Sequence, residues 1–301
     1  MRVYWRTREG LTPPPHANFF FGKTVERILS LPPPTHPIPV VHREFFPDKL
    51  GWMQGGFQVQ SAIERGELEK VVLSRGYVLT CAKIPDPFAI LAALQSRSQN
   101  ATLFCQQEEN SSFLGATPER LFYRRGNEIT AEAIAGTRPR NTPDKELLKS
   151  EKDKREIGFV QKHIQEKLAP FCTRISTSPL SIHKTHNVKH LYSKITGTLK
   201  TICDETLIDA LHPTPAIWGV PKNAASHWIH RLEPFPRYRY GTVLGWNTSD
   251  EAEVVLAIRC CEIQEKTVRL YTGAGIVKGS NLEKEWDELD EKLKLYQGIF
   301  L

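Results

Sequence analysis

Hydrophobic and polar positions change rhythm several times along this 301-residue chain. From Trp52 the run WMQGGFQVQSAIERGELE predicts a helix that stops near Gly66, a residue suited to the position just past a helix end. KVVLSRGYVLT, starting at Lys70, then predicts a strand, β-branched and apolar but opened and interrupted by charge. PDPFAILAALQSRS predicts a second helix entered through Pro85 and Pro87. Several short strands follow over ATLFCQQ and SSFLGATPERLFYRRGNEITAEAIAG, with turns expected at Gly115, Pro118 and Gly126-Asn127. One long helix is expected from Pro143 to Leu168, charged early and apolar late. HNVKHLYSKITGTL predicts a strand, and CDETLIDALHPTPAIWG a helix broken by Pro213 and Pro215. From Tyr240 to Val277 the pattern is β, with turns at Asn247–Asp250 and Gln264–Lys266. A last helix starts at Ser280, where Glu283 three residues on completes a capping box.

Residues 1–50 break this regularity, with PPP at 13–15 and 32–34, and predict irregular chain with one helical stretch near Thr24–Leu31. Residues 51–301 form the regular part, without internal repeats. Helices mixed irregularly with runs of strands predict an α+β fold with antiparallel sheets, not a doubly wound parallel one.

Composition narrows the function. The chain is 40% hydrophobic and 25% charged, ordinary for a globular protein. Its net charge of +6 is scattered, which argues against nucleic acid and suits an anionic small molecule. No run of about 18 apolar residues predicts a membrane span, and the N-terminus lacks the apolar core of a signal peptide. The expectation is a cytoplasmic protein. The six cysteines form no CxxC and read as reduced, mostly buried thiols. Cys260 and Cys261, adjacent in a strand, point to opposite faces.

Several side chains could carry chemistry. Glu285, Glu288 and Lys292 share one face of the last helix. That face is either solvated or a place where carboxylates hold a hard cation and a lysine meets an anion. Glu156 lies in the charged half of the long helix. Lys70 could be a charge at a strand end, or a buried base. LYTGAGIVKGS and EAIAGTRPR are glycine-rich and read either as anion cradles or as tight turns, and the turn reading of LYTGAGIVKGS needs positive φ at Gly273 or Gly275. His186 and His190 are four apart, but in a strand and without a third ligand nearby, so zinc is not expected.

Ten runs in order resemble the chorismate-utilising enzymes, which include isochorismate, salicylate, anthranilate and aminodeoxychorismate synthases. They are KVVLSR (70–75), FLGATPERL (113–121), AIAGTRPR (133–140), SEKDKREIGFV (150–160), VKHLYSKITGTL (188–199), LHPTPAIWGVPK (211–222), YGTVLGW (240–246), VVLAIRC (254–260), LYTGAGIV (270–277) and EWDELDEKL (285–293). Lysine at position 70, alanine at 135 and the phrase LHPTPA resemble the isochorismate synthases, which add water rather than ammonia.

The resemblance implies a layered sandwich of antiparallel sheets with helices outside, and because Lys70 comes earlier than in typical members, a shortened N-terminal lobe is expected as a departure from it. It implies chorismate as substrate, Mg²⁺ as cofactor and a monomer. Lys70 would be the general base and Glu119 the general acid. Glu156 and Glu288 would be metal ligands, with Glu285 acting directly or through water. Gly136, Thr137, His190, Ala216, Arg259, Gly273 and Lys292 would bind substrate. The alternatives are a salicylate synthase, which goes on to eliminate pyruvate, and a catalytically weak homologue kept as a binding protein. The chain departs from the pattern at Ile157, where the family often has histidine, and at Thr242, where a smaller residue is common.

Overall fold

Alternation along the strands sorts side chains between two faces, and two antiparallel-dominated sheets result. The computed structural model describes residues 1–20, 26–34, 37–98, 100–185 and 187–300. In chain order it runs β1 (Arg2–Arg6), β2 (Asn18–Phe19), β3 (Glu26–Arg27), β4 (Val40–Phe46), α1 (Lys49–Glu64), β5 (Lys70–Cys81), α2 (Pro87–Arg97), β6 (Thr102–Gln107), β7 (Ser111–Thr117), β8 (Arg120–Arg125) and β9 (Glu128–Pro139). It continues with α3 (Asp144–Lys149), α4 (Glu151–Leu168), β10 (Cys172–Thr177), β11 (Ser181–Lys184), β12 (Val188–Leu199), α5 (Asp204–Leu211), β13 (Gly219–Val220) and α6 (Lys222–Leu232). β14 (Val243–Asn247), β15 (Glu251–Leu256), β16 (Cys260–Gln264), β17 (Thr267–Val277) and α7 (Leu282–Leu293) complete it.

The first sheet has the order β13-β5-β17-β16-β7-β6-β1-β3, with β4 also on β5. The second has the order β10-β12-β9-β8-β15-β14-β2, with β11 also on β12. Among the described pairings only β1 with β3 is parallel. Trp5, Phe104 and Phe113 of the first sheet pack with Leu244, Trp246 and Val255 of the second. The Trp5 indole donates across this layer to Glu253 at 2.8 Å. Helices α1, α6 and α7 cover the outer face of the first sheet through Trp52, Trp228 and Trp286, and α4 and α5 cover the second through Ile157, Val160 and Leu207. This is the expected α+β sandwich with helices outside. No described helix is long and apolar enough to cross a membrane.

Several expectations need correction. The helix expected over Pro143–Leu168 is two, because Ser150 is extended and its hydroxyl caps α4 by accepting from Asp153 N. The helix expected over Thr24–Leu31 is instead strand at Glu26–Arg27, paired with β1, while residues 24–25 lie outside the described residues. The first fifty residues are not simply irregular, since the prolines fall between strands and β1 buries Val3, Tyr4 and Trp5. Gly115 is not a turn but lies within β7, where a Cβ would come 2.8 Å from the Arg259 carbonyl. The helix after Cys203 ends at Leu211, and α6 was not anticipated. The last helix is capped by Asn281 rather than Ser280, whose hydroxyl accepts from Val277 N instead.

One buried ion pair anchors α5 to the second sheet. Arg124 donates twice to Asp204, at 2.7 and 2.8 Å, and Asn247 adds a third bond. Removing the acid leaves a buried guanidinium charge without its counter-charge, held by the backbone carbonyls of Gly126, Thr248 and Ser249. Asp204→Ala is expected to cost about 3–5 kcal/mol in urea unfolding.

Candidate active site

Strand parity delivers the first residues of the site. On β5, Val71 and Leu73 face the helices, so Lys70 and Val72 must face inward. On β17, Ala274 and Ile276 face the same helices, which turns Gly273 and Gly275 inward. The two strands pair with Gly275 opposite Val72 and Val277 opposite Lys70. Neither glycine has the positive φ that a turn reading requires, and both lie within a continuous strand. They are small because the site needs the space. A Cβ at Gly275 would stand 2.4 Å from Glu156 Oε1 and 3.0 Å from Lys70 Cε, and one at Gly273 would stand 2.8 Å from the Tyr240 hydroxyl. Gly275→Ala should therefore cost about 1–3 kcal/mol of stability and displace both charged groups. Thermal unfolding with a turnover assay checks this.

The opposite wall comes from the second sheet. β9 and β12 pair with an irregularity beside His190, where Gly136 is the extra residue. Gly136 has φ +67°, and a Cβ there would meet that of Asp153 at 2.8 Å. Here the glycine does supply a left-handed conformation. The bulge aims Thr137 and His190 into the cavity, with the Thr137 hydroxyl 3.1 Å from His190 Nδ1. Among the described residues His190 Nε2 is buried without a partner, and burial, with Arg259 and Lys292 nearby, keeps the ring neutral. His186 lies outside the described residues.

Two crossings between the sheets supply Glu119 and Arg259. Glu119 lies between β7 and β8, and Arg259 lies between β15 and β16 with φ +51°. The crossings are stitched together, since Leu256 N donates to the Glu119 carbonyl at 3.0 Å and Ala116 N to the Arg259 carbonyl at 3.1 Å. Burial pushes the Glu119 carboxyl up to about 8, with Lys70 pulling it down and Glu132 adding to the rise. Glu119 is thus a protonated acid at neutral pH.

Helices α4 and α7 close the site with charge. Glu156 Oε1 is 3.1 Å from Lys70 Nζ, and Glu156 Oε2 is 3.2 Å from Lys152. Burial works to raise Glu156, but the two ammonium groups outweigh it and hold the carboxyl at about 2. Glu285 lies 2.8 Å from the same Lys152. Burial takes Glu285 up to about 7 against the pull of Lys152, with Glu288 and Glu156 adding to the rise. Lys292 bonds Glu288 at 2.5 Å and the Gly273 carbonyl at 2.7 Å.

One cavity is lined by Lys70, Glu119, Gly136, Thr137, Glu156, His190, Ala216, Arg259, Gly273, Glu288 and Lys292. Glu285 lines the vestibule beside it. Among the described residues no three histidine, cysteine or acidic side chains already converge as a metal cage. The donors are all carboxylates, which suits a hard cation that takes one or two of them plus water and substrate oxygens. Ammonium groups now neutralise each one.

Two residues of the site escaped the sequence reading. Lys152 is four residues before Glu156, a spacing that placed it on the same helical face. Tyr240 lines the cavity and opens a motif in which only Thr242 drew notice. Thr242 lines a different cavity, and Ile157 is buried between α4 and the second sheet. Neither departure touches the site.

The sequence profile of the family described as chorismate binding enzyme matches residues 24–299. The chain belongs to that family. It is 39% identical over 240 residues to isochorismate synthase 2, chloroplastic, of Arabidopsis thaliana, covering 76% of this chain and 43% of that protein. It is 34% identical to isochorismate synthase MenF of Escherichia coli, covering 85% of this chain and 62% of the relative. The chain thus spans 43% and 62% of the length of these two relatives. The solved structure of MenF, the menaquinone-specific isochorismate synthase from Escherichia coli, superposes with a TM-score of 0.82 at 32% identity, covering 90% of this chain and 65% of that one.

Proposed function

We propose that the chain is an isomerase converting chorismate reversibly to isochorismate with Mg²⁺, and that residues 51–301 carry the catalytic unit. The observation that carries the reading is the pairing of a buried lysine with a buried, protonated carboxylic acid on different walls of one cavity, Lys70 at 1% and Glu119 at 5% exposure. Water addition with loss of a hydroxyl needs a base and an acid placed in this way. The relatives' names support the substrate.

In the proposed reaction the Lys70 ammonium first releases its proton to solvent, and the free amine then takes a proton from a water as that oxygen bonds to C2 of the ring. The ring double bond shifts, the bond from C4 to its hydroxyl breaks, and Glu119 gives its proton to the departing oxygen. One water enters and one leaves, so the net change is an isomerisation. Proton return from Lys70 to Glu119 through solvent resets the site. Arg259 and Lys292 meet the side-chain carboxylate beside Gly273. Thr137, the free Nε2 of His190, Gly136 and Ala216 line the ring. A bound Mg²⁺, held by Glu156 and Glu288 with Glu285 as a nearer or water-mediated partner, would neutralise the ring carboxylate.

Purified protein incubated with chorismate and Mg²⁺ tests the proposal by product separation. Isochorismate alone is the expected result. Salicylate with pyruvate would move the assignment to a salicylate synthase, and absence of Mg²⁺-dependent turnover would refute both.

A further inference from the structure

Lys152 occupies the point where the carboxylates of α4 and α7 meet. Its Nζ lies 2.8 Å from Glu285, 3.2 Å from Glu156 and 3.6 Å from Asp153. The side chain is 15% exposed and borders the vestibule, so it has somewhere to go. The other acids have further cations. Asp153 has Arg138, Glu156 has Lys70 and Glu288 has Lys292. Four carboxylates (Asp153, Glu156, Glu285, Glu288) therefore face four cations (Arg138, Lys70, Lys152, Lys292), and the cluster is balanced before any metal arrives. A divalent cation seated among these acids would meet the Lys152 ammonium at close range in a poorly solvated site, where like charges repel strongly.

We propose that Lys152 is an internal stand-in for the divalent cation: it holds Glu156 and Glu285 in place in the metal-free protein and must swing into the vestibule before Mg²⁺ binds. Lys152 is then a positioning residue that lowers the intrinsic affinity for Mg²⁺. The inference rests on the Mg²⁺ reading above. It also explains how metal and substrate would bind together. Two added positive charges unbalance the cluster, and the two carboxylates of chorismate restore it. Each should strengthen binding of the other.

Calorimetric titration of Mg²⁺ into the substrate-free protein tests this on wild type, Lys152→Met and Lys152→Arg. Lys152→Met should bind Mg²⁺ at least about tenfold more tightly, a gap that one removed unit charge at this range readily produces. Lys152→Arg should bind no more tightly than wild type. In chelator, Lys152→Met should melt below wild type, and saturating Mg²⁺ should close the difference. A purely structural lysine would lower the melting temperature without tightening the metal. The wild-type protein gives a readout that needs no variant to fold. Acetylation of Lys152 by a small amine reagent, read by mass spectrometry, should rise when Mg²⁺ is added. Equal or weaker Mg²⁺ binding by Lys152→Met, or labelling that stays level or falls, overturns this inference alone. Absence of Mg²⁺ binding in every variant, with and without chorismate, overturns it together with the metal reading.

Discussion

Lys70→Ala should lose about 10³-fold or more in turnover of chorismate while keeping its fold. Removing a positioned general base or acid costs typically 10²–10⁴-fold, and among the described residues the neighbouring amines are committed elsewhere, Lys292 to Glu288 and the Gly273 carbonyl and Lys152 to Glu156 and Glu285. The fold should survive because the partner carboxylate is not orphaned. Glu156 keeps Lys152 at 3.2 Å. What is lost is the packing of one aliphatic stem beside Gly275 and Glu156, on the order of 1–3 kcal/mol. Rate measurement under saturating chorismate and Mg²⁺, with far-ultraviolet circular dichroism as the control for folding, separates the two effects. A Lys70→Ala protein that is folded and turns over near the wild-type rate removes Lys70 from the role of base. Lys70→Arg sharpens the result. It retains the charge opposite Glu156 but is a far weaker proton acceptor at neutral pH, so it should be as slow as Lys70→Ala.

Much of this site was legible because strand parity and motif order are written in the chain. Lysine at the head of a β-branched run and paired glycines in LYTGAGIV mark one wall, and TPER and AIAGT mark the other. The meaning of the glycines was not legible. A glycine required by positive φ and one required by a neighbour's approach look alike as letters. Gly136 is the first kind, with φ +67°, and Gly275 the second, with Glu156 pressed against it, and the three-dimensional structure alone distinguishes them. Lys152 was hidden for a related reason. It stands among five other charged residues in SEKDKRE, and its partner Glu285 is brought to it by the packing of α7 beside α4, a contact no local pattern encodes. The break at Ser150 was missed because the charged run on either side suits a helix equally well, while the cap depends on one hydroxyl. At the N-terminus the prolines masked strands, since β1 and β3 are short and take their stability from pairing rather than from propensity.

Glu119 should make catalysis and stability pull against each other, and the sign of each follows from its position. Burial lifts its carboxyl from 4.5 to about 8, beyond what Lys70, Lys292 and Arg259 can counter. As a proton donor it must be protonated, so kcat/KM should fall as pH rises through about 8. In Glu119→Gln that alkaline limb should vanish along with most of the rate, since the amide cannot donate a proton. Stability runs the other way. Below about pH 4.5 the carboxyl is protonated in both folded and unfolded chains and contributes nothing. Between about 4.5 and 8 the unfolded chain has released the proton and the folded chain has not, so stability declines with rising pH. At about 1.4 kcal/mol per pH decade the loss amounts to a few kcal/mol by pH 8. Glutamine keeps the shape and cannot ionise. Glu119→Gln should therefore melt higher than wild type at pH 8 and level with it near pH 4.5. Other groups titrate over the same range, Glu285 among them at about 7, but they are common to both proteins and cancel in the difference. A melting-temperature difference that stays constant across this window would show that Glu119 is ionised in the folded protein, and would take the role of general acid away from it.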